Sequence, residues 1–180
     1  METQDSFIDP EKVISQIDLR EGSRVADFGC GTGYFTFALA KKIREQGIVY
    51  SLDVLPQIIE VVESQAKIEG LKNIITKRVN FEKEGGSTLE ANSLDWVILK
   101  DVLYQNKKKD VMLAEAKRVL KKGGRALIVE WKKETGIIGP EKNIRISKEE
   151  ILELIKNENW EIPSGEISAG KFHYGFVLIK

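Results

Sequence analysis

Short apolar runs alternate with helix-period segments along most of this chain. Residues 23–28 read as a first strand, and residues 34–45 as a helix with Phe35, Ala38, Leu39 and Ile43 on one face. A second strand over 48–54 stops at Pro56. The helix after it carries Ile58, Ile59, Val62 and Ala66 and ends at Gly70, a normal C-cap. A third, less apolar strand is predicted over 74–79, a polar loop with Gly85-Gly86 over 82–93, and a fourth strand over 94–99. Next comes a helix over 108–121. Gly123-Gly124 then turns the chain into a fifth strand, 125–131, whose nearly continuous apolar run suits a strand covered on both faces. This βαβ alternation predicts a parallel sheet.

The flanks read differently. Asp9 is placed as the N-cap of a short amphipathic helix with Pro10 at its first position. After a loop through Gly136, Gly139 and Pro140, Ser147 and Glu150 have capping-box spacing, and Ile151, Leu152, Leu154 and Ile155 form an apolar face. Residues 160–180 contain two strand-like halves joined by Ala169-Gly170-Lys171, a connection short enough to permit only an antiparallel pair. The expectation is a seven-stranded α/β sandwich forming one domain over 1–180, with residues 1–22 as an N-terminal helical extension.

Composition narrows the class. A chain of 180 residues buries roughly 70% of its unfolded surface and needs neither a disulfide nor a structural metal to fold. Its 28 basic and 28 acidic residues cancel, which removes any net pull toward nucleic acid or an anionic membrane. One cysteine rules out a disulfide framework and a cysteine-rich zinc site, and one histidine rules out a two-histidine zinc motif. No metal is expected. The polar start METQDSFIDPEK lacks the regions of a signal peptide, and no apolar run nears the roughly 20 residues that span a bilayer. A cytoplasmic protein without membrane insertion is the expectation.

The candidate chemistry concentrates in residues 25–34, VADFGCGTGY. Here a buried strand runs into a glycine-rich turn that opens a helix. Glycines let the main chain turn sharply and approach a ligand closely, and the helix start offers unpaired N–H groups. A bare G-x-G turn serves equally well as a tight corner. Two acids add to it: Asp27 at the mouth of the first strand, and Asp53 closing the second strand 24 residues after Gly29. A carboxylate at the latter place can bridge the ribose hydroxyls of a nucleoside cofactor; capping the helix near Pro56 is its competing role. The third glycine of a dinucleotide fingerprint would fall at Tyr34, and no G-K-[ST] closes the turn as a P-loop requires. An acid at Asp27 suits an ammonium or sulfonium group, not a pyrophosphate.

The run VADFGCGTG strongly resembles motif I of class I S-adenosylmethionine-dependent methyltransferases, and the resemblance covers nearly the whole chain. Asp53 matches their acid at the end of strand two. LDWVILKDVLY resembles their fourth strand, and AKRVLKKGGRALIVEWKKE the helix and strand that follow it. RVLKKGG with a downstream GPEKNIRISKEEI looks most like the small-molecule group related to ubiquinone/menaquinone-biosynthesis methyltransferases. The resemblance implies a Rossmann-like sandwich of strand order 3-2-1-4-5-7-6 with strand 7 antiparallel. It also implies S-adenosylmethionine as cofactor and S-adenosylhomocysteine as product. Gly29, Gly31 and Gly33 are then expected beneath the methionine part and ribose, with Cys30, Thr32 and Tyr34 completing the loop. Asp27 is expected to face the methionine ammonium, Asp53 to hold the ribose hydroxyls, and Val54 to pack on the adenine. Asn80 is the candidate for the adenine amino group, Phe81 for covering the ring, and Glu82 the alternative if the register slips. Lys100 falls where the family's main chain meets the methionine part.

The implied reaction is in-line displacement on a sulfonium methyl, which proximity and alignment can drive without an obligatory base. Candidates near the acceptor are Asp101, Tyr104 and Gln105 after strand four, Trp131 and Lys132 after strand five, and His173. Each has an ordinary alternative: a core-edge aromatic for Tyr104, packing for Trp131, a strand residue for His173. Cys30 reads as a small packing residue, and Lys107-Lys108-Lys109 as a solvated helix start. The expected acceptor is a small molecule, because no recognition module is appended and Leu99-Lys100-Asp101-Val102 is not the Asp/Asn-Pro-Pro-Tyr run of amino-methylating DNA enzymes. The alternatives are an RNA or protein methyltransferase, and a non-catalytic cofactor-binding subunit. Nucleic acid is not an expected partner, and either a monomer or a homodimer fits.

Overall fold

A computed structural model describes residues 8–134 and 138–180; Gly136, read above as part of a loop, lies outside them. The elements are α1 (Pro10–Ile14), β1 (Arg24–Phe28), α2 (Tyr34–Ile43), β2 (Ile48–Asp53), α3 (Pro56–Ile68), β3 (Ile74–Arg78), β4 (Leu94–Lys100), α4 (Lys109–Val119), β5 (Leu120–Trp131), α5 (Lys148–Ile155) and β6 (His173–Ile179). Local chemistry sets several boundaries. Asp9 caps α1 by accepting the N–H groups of Glu11 and Lys12, with Pro10 in the first turn. Ser147 and Glu150 close a reciprocal capping box on α5, and Gly70 takes a positive φ of 68° just beyond α3.

The strands form one sheet in the order β3-β2-β1-β4-β5-β6. All neighbours are parallel except β5 and β6, which run antiparallel. Successive residues of the central strands divide between two apolar layers, as the period of two demands. Val25, Val49, Ile98, Leu127 and Val129 pack with α1 and α2 on one face. Ala26, Phe28, Leu52, Val97, Leu99, Ala126 and Ile128 pack with α4 and α5 on the other. Each valine, leucine, isoleucine or phenylalanine among them taken fully out of water contributes about 1.5–3 kcal/mol, and these layers hold the strand ends beneath the loops that carry chemistry.

Two expectations need correction. The sheet of the described residues has six strands, not seven, so the order 3-2-1-4-5-7-6 does not hold. The expected sixth strand survives only as two isolated antiparallel bridges, Glu161 to Ile179 and Ile167 to Gly175. Between them lie Pro163, which has no N–H for a ladder, and Gly165, whose φ of 134° is outside the strand region. The second correction concerns Gly123-Gly124, which lie inside β5 and not before it. Leu94 pairs with Leu120 while Trp96 pairs with Arg125, so β5 accommodates its extra residues in a kink at these glycines.

Candidate functional site

The sheet order reverses direction between β1 and β4, and a crevice opens there beyond the carboxyl ends of the strands. On one side is the glycine turn. Gly29 has φ 74°, and a Cβ built there would lie 2.4 Å from Val102 Cγ2, so the turn approaches the segment after β4 closely. Gly31 has φ 51° and a built Cβ would meet nothing within 4 Å, so its main chain borders open space. Gly33 is the N-cap of α2 and supplies no side-chain cap, which leaves the first N–H groups of that helix free of a capping side chain. Thr32 and Tyr34 are exposed on the turn, while Cys30 is buried. Burial, with Asp27 nearby, pushes the Cys30 thiol up to about 12, so it is an unreactive packing residue.

Asp27 is 2% exposed at the end of β1. Its Oδ2 accepts the Thr36 hydroxyl at 2.7 Å, and that hydroxyl lies 2.9 Å from Ser51 Oγ. Burial pushes the Asp27 carboxyl up to about 6, with Thr36 and Lys100 opposing the shift. Asp53 is engaged by main chain at both oxygens: Oδ2 accepts Gly31 N–H at 3.2 Å and Oδ1 accepts Leu55 N–H at 3.0 Å. It therefore ties the glycine turn to the end of β2, and a carboxylate with one bond at each oxygen still has lone pairs to offer. Beside it Val54 and Leu55 are about half exposed, an apolar patch at the strand end.

The residues after β3 do not act as a group. Asn80 is exposed and its Oδ1 accepts Glu82 N–H at 2.9 Å. Glu82 in turn accepts Lys107 N–H at 3.0 Å. Phe81 points inward: it is 5% exposed and stacks on Phe28 with centroids 4.5 Å apart. Its ring belongs to the core, which corrects the expectation that it lies over a ligand.

On the other side of the crevice, β4 ends in Lys100 and Asp101. Asp101 has φ 53°. Its Oδ2 lies 2.5 Å from Lys100 Nζ and 3.1 Å from His173 Nε2, and its buried Oδ1 has no hydrogen-bond partner among the described residues. His173 opens β6, is 5% exposed, and packs its ring 4.1 Å from that of Trp131. Behind them is Glu130, fully buried in β5. Its Oε1 accepts the N–H groups of Val102 at 3.0 Å and Leu103 at 2.7 Å. Burial first, and the neighbouring Asp101 second, push the Glu130 carboxyl up to about 8.

A cleft of about 480 Å³ joins the two sides, lined by Asp27, the turn from Gly29 to Thr32, Tyr34, Lys100, Asp101, Tyr104, Gln105, Trp131 and Pro140 among others. Tyr104 also lines a second cavity of about 720 Å³ that reaches Lys109, Arg145 and the outer face of α5. The described residues contain no group of acids, cysteines and histidine able to hold a metal, and no helix long and apolar enough to cross a membrane. Asp53, Val54 and Asn80 lie outside the cleft wall proper, as does Lys132.

The family model described as the methyltransferase domain matches residues 19–176. The chain belongs to the class I S-adenosylmethionine-dependent methyltransferase family. This methyltransferase is 30% identical over 125 residues to the demethylmenaquinone methyltransferase of Geobacillus kaustophilus, a match covering 69% of this chain and 52% of that protein. It is 36% identical over 85 residues to the aklanonic acid methyltransferase of Streptomyces sp. (strain C5), covering 46% and 37%. The chain thus spans about half or less of the length of these curated relatives. Among solved structures, a SAM-dependent methyltransferase from Aquifex aeolicus superposes with a TM-score of 0.87 at 27% identity, covering 96% of this chain and 90% of that one.

The sequence left four residues beside the cleft unread. Thr36 and Ser51, which flank Asp27, are small polar residues inside apolar runs. Glu130 is the one charge inside the apolar run of β5, and that interruption was its signal. Arg145, 3% exposed, had none: it donates to the carbonyls of Lys132, Ile138 and Pro140 and lies over the Trp131 ring, fastening a cleft-lining segment.

Proposed function

We propose that this chain, as one methyltransferase domain over 1–180 with residues 1–22 as an N-terminal extension, transfers a methyl group from S-adenosylmethionine to a small-molecule acceptor. The observation that carries the reading is the cleft at the switch point, where Asp27, the glycine turn and Lys100–Tyr104 face one another. When bound, the cofactor supplies a methyl group already activated on a sulfonium. Asp27 offers a carboxylate to the methionine ammonium, and the open space over Gly31 and the uncapped start of α2 leave room for the main chain to approach the ligand. Asp53 uses its remaining lone pairs on the ribose hydroxyls, and half-exposed Val54 meets the adenine. Asn80 and Glu82 remain on the adenine side. The open, polar-lined space above Lys100 to Tyr104 supports turnover over a non-catalytic subunit, whose acceptor pocket would be plugged. The names of the relatives support a small organic acceptor over RNA or protein.

Calorimetric titration with S-adenosylmethionine and with NADH tests this reading. Wild type binds S-adenosylmethionine alone, and Asp53→Ala weakens that binding by about 1–3 kcal/mol for lost charge-assisted hydrogen bonds. A folded protein that does not bind S-adenosylmethionine sinks the reading.

A further inference from the structure

We propose that the Lys100 side chain recognises the carboxylate of the cofactor's methionine part, so that this methyltransferase reads the amino acid head of the cofactor as a zwitterion. The inference rests on the function proposed above and deepens it, because there the carboxylate has no partner. Among the described residues, three that carry charge line the cleft: Asp27, Lys100 and Asp101. Lys100 is the one cation. S-adenosylmethionine brings two positive groups, the sulfonium and the ammonium, and a single negative one. A lysine in a cleft for such a ligand repels the first two and attracts the third. Its presence there points to the carboxylate.

The register of the sheet sets the two opposite charges on one side. β1 and β4 pair in parallel with Asp27 opposite Ile98. Side chains alternate along a strand, so Asp27, Ile98 and, two residues on, Lys100 share a face. Ile98 and Val129, which is opposite Lys100 on β5, both belong to the apolar layer beneath α2 on that face. Lys100 therefore stands on the strand next to Asp27, one step nearer the mouth of the cleft. Its charge reaches that carboxyl and opposes the rise that burial causes.

The lysine is held without being used up. Its side chain is 26% exposed, and Nζ lies 2.5 Å from Asp101 Oδ2, its one partner among the described residues. An ammonium has three N–H donors, so two remain for a ligand. The same Oδ2 lies 3.1 Å from His173 Nε2, which ties the aspartate to β6 and limits where the ammonium can reach. Asp27 is also partly engaged, with the Thr36 hydroxyl on its Oδ2. An acid and a base with capacity to spare, on one face of one cleft, match the two ends of an α-amino acid. The uncapped start of α2 is the competing partner for the carboxylate, since its N–H groups also attract anions.

The test is calorimetric titration at pH 7 of wild type, Lys100→Met and Lys100→Arg. The two ligands are S-adenosylhomocysteine and its decarboxylated analogue, which keeps the adenosine, the sulfur and the terminal amine. Wild type prefers the ligand with the carboxylate by about 10–100-fold, as one charge-assisted hydrogen bond provides. Lys100→Met keeps the length of the side chain without its charge. It loses most of that preference by weakening S-adenosylhomocysteine, while the analogue binds as before or more tightly. Lys100→Arg keeps the charge and most of the preference. Because the readout is a ratio between two ligands on one protein, a variant that merely loosens the cleft weakens both and leaves the ratio unchanged. An unchanged ratio in Lys100→Met overturns the inference and gives the carboxylate to the start of α2. Wild type that binds both ligands equally well overturns it with no variant needed. Folded wild type that binds neither ligand overturns the proposed function as well.

Discussion

Glu130 holds the main chain of Leu103: from the interior of β5 its Oε1 accepts that residue's N–H at 2.7 Å, and the N–H of Val102 beside it. The N–H groups of the segment leaving β4 are taken up by a carboxyl oxygen from the neighbouring strand. Val102 in turn presses on Gly29. One buried acid therefore links β5, the segment after β4 and the glycine turn.

This acid makes stability fall as pH rises. Glu130 titrates near 8 in the folded chain and near its ordinary 4.5 when unfolded. The native state therefore binds the extra proton between those values, and stability is lost on raising pH through that window. Above pH 7, where Asp27 is largely ionised, the slope belongs chiefly to Glu130 and reaches at most about 1.4 kcal/mol per pH unit. Thermal melting of wild type is expected to drop between pH 7 and 8. Glu130→Gln, which keeps an oxygen for both N–H groups but cannot ionise, flattens that dependence. Equal slopes for the two proteins contradict it.

A second prediction concerns close approach. Gly29→Ala places a methyl 2.4 Å from Val102 Cγ2 on a backbone with φ 74°. The left-handed conformation costs about 1–2 kcal/mol and the overlap about 1–3 kcal/mol. Because the nearest atom to that methyl is Val102 Cγ2, while the Val102 Cβ that alanine keeps lies at 3.1 Å, Gly29→Ala with Val102→Ala recovers most of the overlap part and leaves the backbone part. Urea unfolding of the single and double variants separates the two. A double variant weaker than the sum of its singles contradicts this geometry.

The sheet was legible because its central strands are buried on both faces and must be apolar throughout, and because the capping signals at Asp9 and Ser147 act within three residues. The lost sixth strand shows the limit. Residues 160–168 have strand-like composition, but Pro163 and Gly165 outweigh it, and so few residues show no period that exposes the break. That Asp27, the glycine turn and Asp53 stand side by side was legible because the turn follows β1 directly and β2 is the next parallel strand. Asp101 and His173, separated by 72 positions, meet only because β6 returns antiparallel beside β5. Phe81 was misplaced for a related reason: adjacent to the site in sequence, it turns inward to Phe28, which only the packed core determines.

Asp27 sets opposite demands on binding and stability, and a single substitution separates them. In the free protein its carboxyl titrates near 6, raised chiefly by burial. Between pH 7 and pH 5 it therefore takes up a proton and loses its attraction for an ammonium, while an α-amino group, with a pKa of about 7.7–8.0, stays charged throughout. Affinity for S-adenosylmethionine is expected to weaken by about tenfold per pH unit below 6, until the lower pKa of the complex is reached. Asp27→Asn keeps an oxygen for the Thr36 hydroxyl, so the fold survives. It abolishes the pH dependence and binds at pH 7 as weakly as the protonated wild type. The same substitution removes a buried charge, so the ligand-free variant melts higher than wild type at pH 7, and the difference shrinks toward pH 4 as wild type becomes protonated in both states. Calorimetric titrations at pH 5, 6 and 7, with melting curves at the same values, check both halves. Loss of affinity together with loss of stability would instead make Asp27 a structural residue whose removal damages the turn.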